Sequence, residues 1–244
     1  MDDGFDVIAV YGGDGTISQA VPALVGQNVP LAILPGGGAN QLARNLGIPF
    51  SVDAAARVIT QGRSCRMDVG EHRSGSGISY FTVACGAGFD AQIMGATSQE
   101  MKRRARMGAY FVQGVWLSVK AQPAAFSLTV DGTLTELRAT TVLVANCPRV
   151  FPPHMPLRPG VAMDDGILDI VALNASGPID TLRLWYTLAR QRDDAWRIRH
   201  LRGREVHVES SEVLGTQCDG DVVGTTPFTA RVLPGALEVL TPLD

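Results

Sequence analysis

The apolar positions of this chain fall into short runs with two different spacings. Residues 5–11 (FDVIAVY) and 29–34 (VPLAIL) are near-continuous apolar runs, the pattern of strands buried on both faces. Each leads into a glycine turn and then into helical spacing. The first helical stretch covers residues 18–26, limited by Pro22; the second covers 39–46 and ends at Gly47, a suitable C-cap. Asp53 can cap a third helix that runs to Gln61 and closes at Gly62. Strand, turn and helix thus occur twice near the N-terminus, which predicts parallel strands in an α/β layer.

The texture changes at residue 66, where a β-rich second domain begins. Residues 78–85 (ISYFTVAC) are β-branched and aromatic, and residues 126–131, 136–146, 167–173, 205–209, 228–233 and 236–240 read as short strands between turn signals. Two helices interrupt them. One spans 100–120 and clusters Lys102, Arg103, Arg104 and Arg106; the other follows Ser176, with Pro178 just inside it, and runs to Arg192.

Bulk composition narrows the function classes. With 45% hydrophobic and 18% charged residues in 244, the chain reads as a soluble globular protein. A net charge of −3 supplies no global basic field, which argues against nucleic acid and makes any anion site local. Cys65, Cys85, Cys147 and Cys218 lie too far apart for a CxxC pair and read as buried, reduced thiols of a cytosolic protein. No run is long enough to span a bilayer, and Met1-Asp2-Asp3 does not open a signal peptide. Contact with a membrane is therefore expected from its cytoplasmic surface.

The chemistry concentrates in the two glycine turns. Gly12-Gly13-Asp14-Gly15-Thr16 and Pro35-Gly36-Gly37-Gly38-Ala39-Asn40 both leave a strand and open a helix. Such turns let backbone N–H groups approach a phosphate closely, at the carboxyl edge of the sheet where α/β ligands bind. Asp14 would repel a bare phosphate, so it suits a role through Mg²⁺ or in accepting hydrogen bonds from a hydroxyl. The plainer alternative is a tight turn with Asp14 capping its own helix.

GGDGT followed by PGGGANQLAR resembles the catalytic domain of the diacylglycerol kinase family, specifically its bacterial lipid kinases. The resemblance continues through Asp68-Val69-Gly70, Gly88-Phe89-Asp90-Ala91, MDDGILD (163–169), Asp219-Gly220-Asp221 and Pro234-Gly235-Ala236-Leu237, in the family's order. It implies an α/β nucleotide-binding domain over residues 1–65, with the tail 234–244 returning to it, and a β-sandwich-like lipid-substrate domain with helices over 66–233. It implies ATP and Mg²⁺ as cofactors. Gly12, Gly13, Asp14, Gly15, Thr16, Ile17 and Ser18, with Gly37, Gly38 and Asn40, map to the nucleotide site. Asp165, beside Ala162 and Ile167, maps to a structural Mg²⁺; by itself MDDGILD reads as a plain β-turn. Asp221 maps to the catalytic base, with Asp14 as the second catalytic carboxylate, although an Asp-Gly hairpin explains the same letters.

The departures from the family pattern are specific. Asp221 replaces the family's Glu, Gly38 a Thr, Gln41 an Asp, and Ser18-Gln19 an Asn-Glu pair. Two strands that precede GGDGT in the family have no counterpart, so the chain is expected to be either trimmed at its start or a shortened homologue. The implied activity is transfer of the ATP γ-phosphoryl group to a lipid hydroxyl at a membrane surface, by a cytoplasmic protein peripheral to the inner face and compatible with a homodimer. Diacylglycerol, phosphatidylglycerol, a sphingoid base and an undecaprenol-like alcohol all fit that chemistry. A binding-only homologue and an NAD-kinase-like enzyme are the alternatives; GGDGT alone favours the latter, and the later motifs argue against it. The basic run at 102–106 suits anionic headgroups or, equally, a solvated helix face.

Overall fold

The computed structural model describes residues 4–88, 122–151 and 156–243. The helix expected over 100–120 with its basic run, the residues Phe89-Asp90-Ala91, and His154 lie outside the described residues.

The chain opens as β1 (Ile8–Gly12), α1 (Asp14–Leu24), β2 (Leu31–Pro35), α2 (Gln41–Asn45) and α3 (Val52–Gln61). β1 and β2 are parallel, with Gly12 in register with Pro35, so the two glycine turns leave the sheet side by side. α1 begins at Asp14, four residues earlier than its apolar spacing suggests, because the glycine turn itself supplies the first helical turn: Thr16 and Ile17 donate to the Gly13 carbonyl. Ile17, Val21 and Leu24 then face the core. Ser51, rather than Asp53, is the N-cap of α3, and Asp53 lies in its first turn.

The rest is largely β-structure: β3 (Arg63–Ser74), β4 (Gly77–Phe81), β5 (Ala84–Gly88), β6 (Ala124–Val130), β7 (Thr133–Ala139), β8 (Thr141–Ala145) and β9 (Leu168–Leu173), then α4 (Gly177–Ala189), then β10 (Ile198–Gly203), β11 (Glu205–Ser210), β12 (Gly215–Cys218), β13 (Asp221–Thr225) and β14 (Phe228–Thr241). One sheet runs β1-β2-β14-β11-β6-β7, with β3 on β14 and β4 on β3; the other runs β10-β9-β8-β5-β12-β13. Together they form the α/β layer and the β-sandwich that the sequence predicts.

Four strands escape the hydrophobic pattern: β3, β10, β12 and β13. β3 reads RSCRMDVGEHRS, and its charges mask a stretch, Met67–His72, that is buried. It is held by a long antiparallel ladder to β14. Two apolar runs are each broken once, at Thr82–Val83 and at Thr140, where the chain passes from one sheet to the other. Conversely, 228–233 and 236–240 are a single strand, irregular between Leu233 and Leu237 at the Pro234-Gly235 step. β3 crosses residue 66 and β14 crosses residue 234, so these two long strands are shared by the α/β and sandwich layers.

Strict alternation sorts the side chains of the central strands into two cores. Val142, Val144, Ile170 and Ala172 face Phe126, Leu128, Val206 and Phe228 inside the sandwich. Leu143, Val171 and Leu173 face outward to Leu184 and Leu188 of α4 and join the core that reaches Ile17 and Leu42. Gly70 of β3 lies opposite Phe81, and a Cβ there would sit 1.9 Å from the Phe81 ring, so its glycine is a packing requirement. The four cysteines are free thiols, three buried and Cys65 partly so. Among the described residues no helix is long and apolar enough to cross a membrane.

Candidate active site

The two glycine turns are packed backbone to backbone. Gly36 N–H donates to the Gly12 carbonyl at 2.8 Å. A Cβ on Gly37 would lie 2.5 Å from Gly13 Cα, and one on Gly12 2.6 Å from the Thr16 side chain. These glycines are fixed by close approach, and none of the glycines in either turn has a positive φ. Gly15 and Gly38 differ: a side chain at either would meet nothing within 4 Å. Neither packing among the described residues nor backbone strain requires glycine there. The open space above them fits a group that must approach the backbone, as a phosphate does at a helix N-terminus.

Asp14 joins the turns. Its Oδ1 accepts the N–H of Gln41 at 2.5 Å and that of Leu42 at 3.4 Å, so the carboxylate of the first turn caps the helix opened by the second. Burial pushes its pKa up, and these amide hydrogen bonds pull back against that shift. A single carboxylate beside a phosphate pocket suits Mg²⁺, which takes one or two carboxylates plus substrate oxygens. Asn40, with φ 47°, is spent on the turn itself: its Oδ1 accepts from Gly37 N–H at 2.9 Å and its Nδ2 donates to Gly37 O at 2.8 Å. Thr16 is exposed beside Gly15 and Ser18 is half-buried, whereas Ile17 points into the core.

A chain of hydrogen bonds leads from here to the DGD hairpin. The Gln41 amide donates to Val150 O at 3.0 Å, and the Asn45 side chain both donates to and accepts from the Arg149 backbone. A few residues upstream, Asn146 Nδ2 donates to the carbonyls of Asp68 and Thr82. The Thr82–Ala84 backbone is in turn gripped by Asp219, which accepts from the N–H groups of Thr82, Val83 and Ala84 and from the Thr82 hydroxyl at 2.7–3.0 Å. Asp219 is half-buried, and desolvation raises its pKa against those four bonds. Cys147 is buried nearby, its thiol pushed up by desolvation and by the Asp219 charge. The hairpin that Asp219 anchors leaves Asp221 exposed at the start of β13. Of the two hairpin acids, one is therefore a structural clamp and the other is available to a substrate.

Asp68 does for the other motifs what Asp219 does for the hairpin. It accepts from Gly166 N–H at 2.7 Å and Gly235 N–H at 2.8 Å, tying MDDGILD to the Pro-Gly step of β14. In the sequence Asp68 and Asp219 sit in motifs with no role of their own; the backbone N–H groups they accept from distant segments supply it. Asp165 is engaged differently from the expected metal ligand. Its Oδ2 accepts from Arg202 Nη2 at 2.5 Å and its Oδ1 from Ile167 N–H at 3.1 Å, while Arg202 Nε reaches Asp169 at 3.1 Å. A guanidinium already meets this carboxylate, and no acidic, histidine or cysteine cluster of metal-binding kind forms among the described residues. Both oxygens of the carboxylate that the resemblance assigns to Mg²⁺ are thus already paired in this arrangement, one with Arg202 and one with the Ile167 N–H.

A parallel α/β layer ending in two adjacent glycine turns, joined to a β-sandwich, has the architecture of a nucleotide-binding α/β domain with a C-terminal sandwich. The family model "Diacylglycerol kinase catalytic domain" matches residues 1–72, and "YegS C-terminal NAD kinase beta sandwich-like domain" matches 83–241. The chain is 29% identical over 242 residues to a diacylglycerol kinase of Mycobacterium tuberculosis, covering 98% of this chain and 78% of that one. It is 30% identical over 237 residues to a probable YegS-like lipid kinase of Chromohalobacter salexigens (95% and 74%). An uncharacterized protein of Synechocystis is 28% identical over 99% of this chain, which spans 56% of that relative's length. A solved structure from Bacillus anthracis superposes with a TM-score of 0.79 at 26% identity, over 97% of this chain and 78% of that one. This chain belongs to the diacylglycerol kinase and YegS-type lipid kinase family.

Proposed function

We propose that this chain transfers the γ-phosphoryl group of ATP to a lipid hydroxyl, with diacylglycerol as the representative acceptor, at the cytoplasmic face of a membrane. The observation that carries the reading is the pair Gly15 and Gly38, glycines in adjacent turns that nothing among the described residues requires. Family membership supports a kinase-type transfer.

The residues divide the work. The backbone of 12–16 and 36–38 holds the phosphates, with the Thr16 hydroxyl alongside. Asn40 shapes the second turn from behind. Asp14 keeps the two turns in one geometry and presents a carboxylate to the pocket. ATP supplies the phosphoryl group when bound, and Mg²⁺ beside Asp14 would supply charge neutralisation. Asp221 takes the proton of the lipid hydroxyl as its oxygen bonds to phosphorus and ADP leaves. Asp219 sets the position of Asp221 through the hairpin and does not touch substrate.

A binding-only homologue is the second reading, favoured by one observation: Asp14 is already committed to the Gln41 and Leu42 amides. The test is ATP-dependent phosphorylation of dioleoylglycerol in mixed micelles with Mg²⁺, beside Asp14→Ala and Asp221→Asn. Turnover that collapses in both variants supports the kinase. Nucleotide binding without turnover in the folded wild type overturns it in favour of the binding-only homologue.

A further inference from the structure

Helix α4 carries apolar residues on two opposite faces. Thr181, Leu184 and Leu188 are buried against the core. Ile179, Leu182 and Tyr186, at spacings of three and four, stand on the other side and are 65%, 64% and 51% exposed; Trp196, beyond the helix, is 59% exposed. One apolar stripe is enough to dock a helix onto its own domain. The second stripe serves no packing within the described residues.

Around it arginines outnumber acids: Arg158, Arg183, Arg190, Arg192 and Arg197 stand against Asp180, Asp193 and Asp194. Arg183 and Arg190 follow Ile179 and Tyr186 by four residues, so they share the exposed face. The guanidinium groups of Arg190 and Arg192 lie 5.6 and 5.7 Å from the Tyr186 ring centroid. The three acids are engaged by three of the arginines: Asp180 and Asp194 share Arg197 at 2.8 Å, Asp180 also meets Arg183 at 4.0 Å, and Asp193 pairs with Arg158. Among the described residues Arg190 and Arg192 form no ion pair. An apolar stripe with a tyrosine and unneutralised arginines complements a surface that is apolar beneath and negatively charged above.

We propose that the exposed face of α4 seats this chain on an anionic lipid bilayer. Ile179, Leu182 and Tyr186 enter the boundary between headgroups and acyl chains, and the arginines reach the lipid phosphates. A second copy of the chain is a poorer occupant, because a two-fold pairing of this face sets arginines against arginines. The lipid kinase reading explains why the chain would need a bilayer; the binding itself rests on the face alone.

The test is co-sedimentation of the whole chain with phosphatidylcholine vesicles, with and without phosphatidylglycerol. Binding is expected on the anionic vesicles, weakening with salt and at least tenfold poorer on the neutral ones. Leu182→Asp should abolish it, and Arg190→Gln with Arg192→Gln should weaken it by roughly fivefold per arginine, with circular dichroism unchanged. Equal binding by wild type and Leu182→Asp, or none by wild type, overturns the proposal. So does a concentration-dependent dimer lost in Leu182→Asp without vesicle binding. Phosphorylation of a water-soluble short-chain diacylglycerol should be untouched by these variants. If the wild type binds vesicles but phosphorylates nothing, the kinase reading fails and the docking face stands.

Discussion

The Asp14 carboxylate sits 2.5 Å from the backbone nitrogen of Gln41, so the acid in the first glycine turn holds the helix that leaves the second. The contact joins residues 27 positions apart and makes one pocket of two loops. The proposed role of Asp14 in phosphoryl transfer would be a second function, and substitution tests it against this structural one. Asp14→Asn keeps the size but presents a donor or a weaker acceptor to the Gln41 amide. It should cost about 1–2 kcal/mol in a urea titration and lower kcat far more than that loss of stability explains.

The glycines predict a contrast. Gly37→Ala pushes a Cβ to 2.5 Å from Gly13 Cα, a backbone atom that cannot swing aside. It should destabilise by about 1–3 kcal/mol and disturb both turns. Gly38→Ala and Gly15→Ala meet open space and should stay within about 0.5 kcal/mol of wild type. If they face a phosphate, they raise the KM for ATP several-fold. Melting curves paired with ATP titrations distinguish the two classes.

The hairpin acids should behave in opposite ways. Asp219→Ala strands four buried donors at once and should cost at least about 3 kcal/mol. Asp221→Asn lies at an exposed position and should leave stability within about 0.5 kcal/mol. Its kcat should fall by about 10²–10⁴ if it is the general base. Chemical denaturation and initial rates on the same preparations check both.

Metal removal should not loosen the 163–169 turn. Asp165 is paired with Arg202, so the melting temperature of the nucleotide-free wild type should be the same in EDTA as in Mg²⁺. Arg202→Gln frees that carboxylate and should lower the melting temperature, with partial recovery in millimolar Mg²⁺. A large loss of stability on chelation of the wild type would count against the ion pair as the holder of this turn.

His72 should govern part of the acid response. It is buried against Phe228, with ring centroids 4.7 Å apart, and its Nε2 has no hydrogen-bond partner among the described residues. Burial lowers its pKa from 6.5 to about 4. Between those values the unfolded chain binds a proton that the native one refuses, so stability falls as pH drops through that window, by about 3 kcal/mol in all. Asp14 and Asp219, whose pKa values are raised, act in the opposite sense: their cost at neutral pH is relieved on acidification. His72→Phe leaves those two in place. Its loss of stability between pH 7 and pH 4, measured by urea titration, should therefore be smaller than that of the wild type by about 3 kcal/mol.

The amino-acid order by itself determined the two strand–turn–helix units, because apolar runs, glycine turns and helical spacing are local signals. It also placed the strands of the sandwich that alternate or run apolar, and the motifs from GGDGT to PGAL. It did not reveal β3, whose charged residues hide a strand that becomes legible only against β14. Nor did it reveal that Asp219 clamps the Thr82–Ala84 backbone while Asp221 stays exposed, since that grip joins segments more than 130 residues apart. The roles of Asp14 on Gln41, Asp68 on Gly166 and Gly235, and Arg202 on Asp165 were likewise decided only by the tertiary structure. Each links segments far apart in the chain, and a hydrogen bond between distant segments leaves no periodicity in either of them.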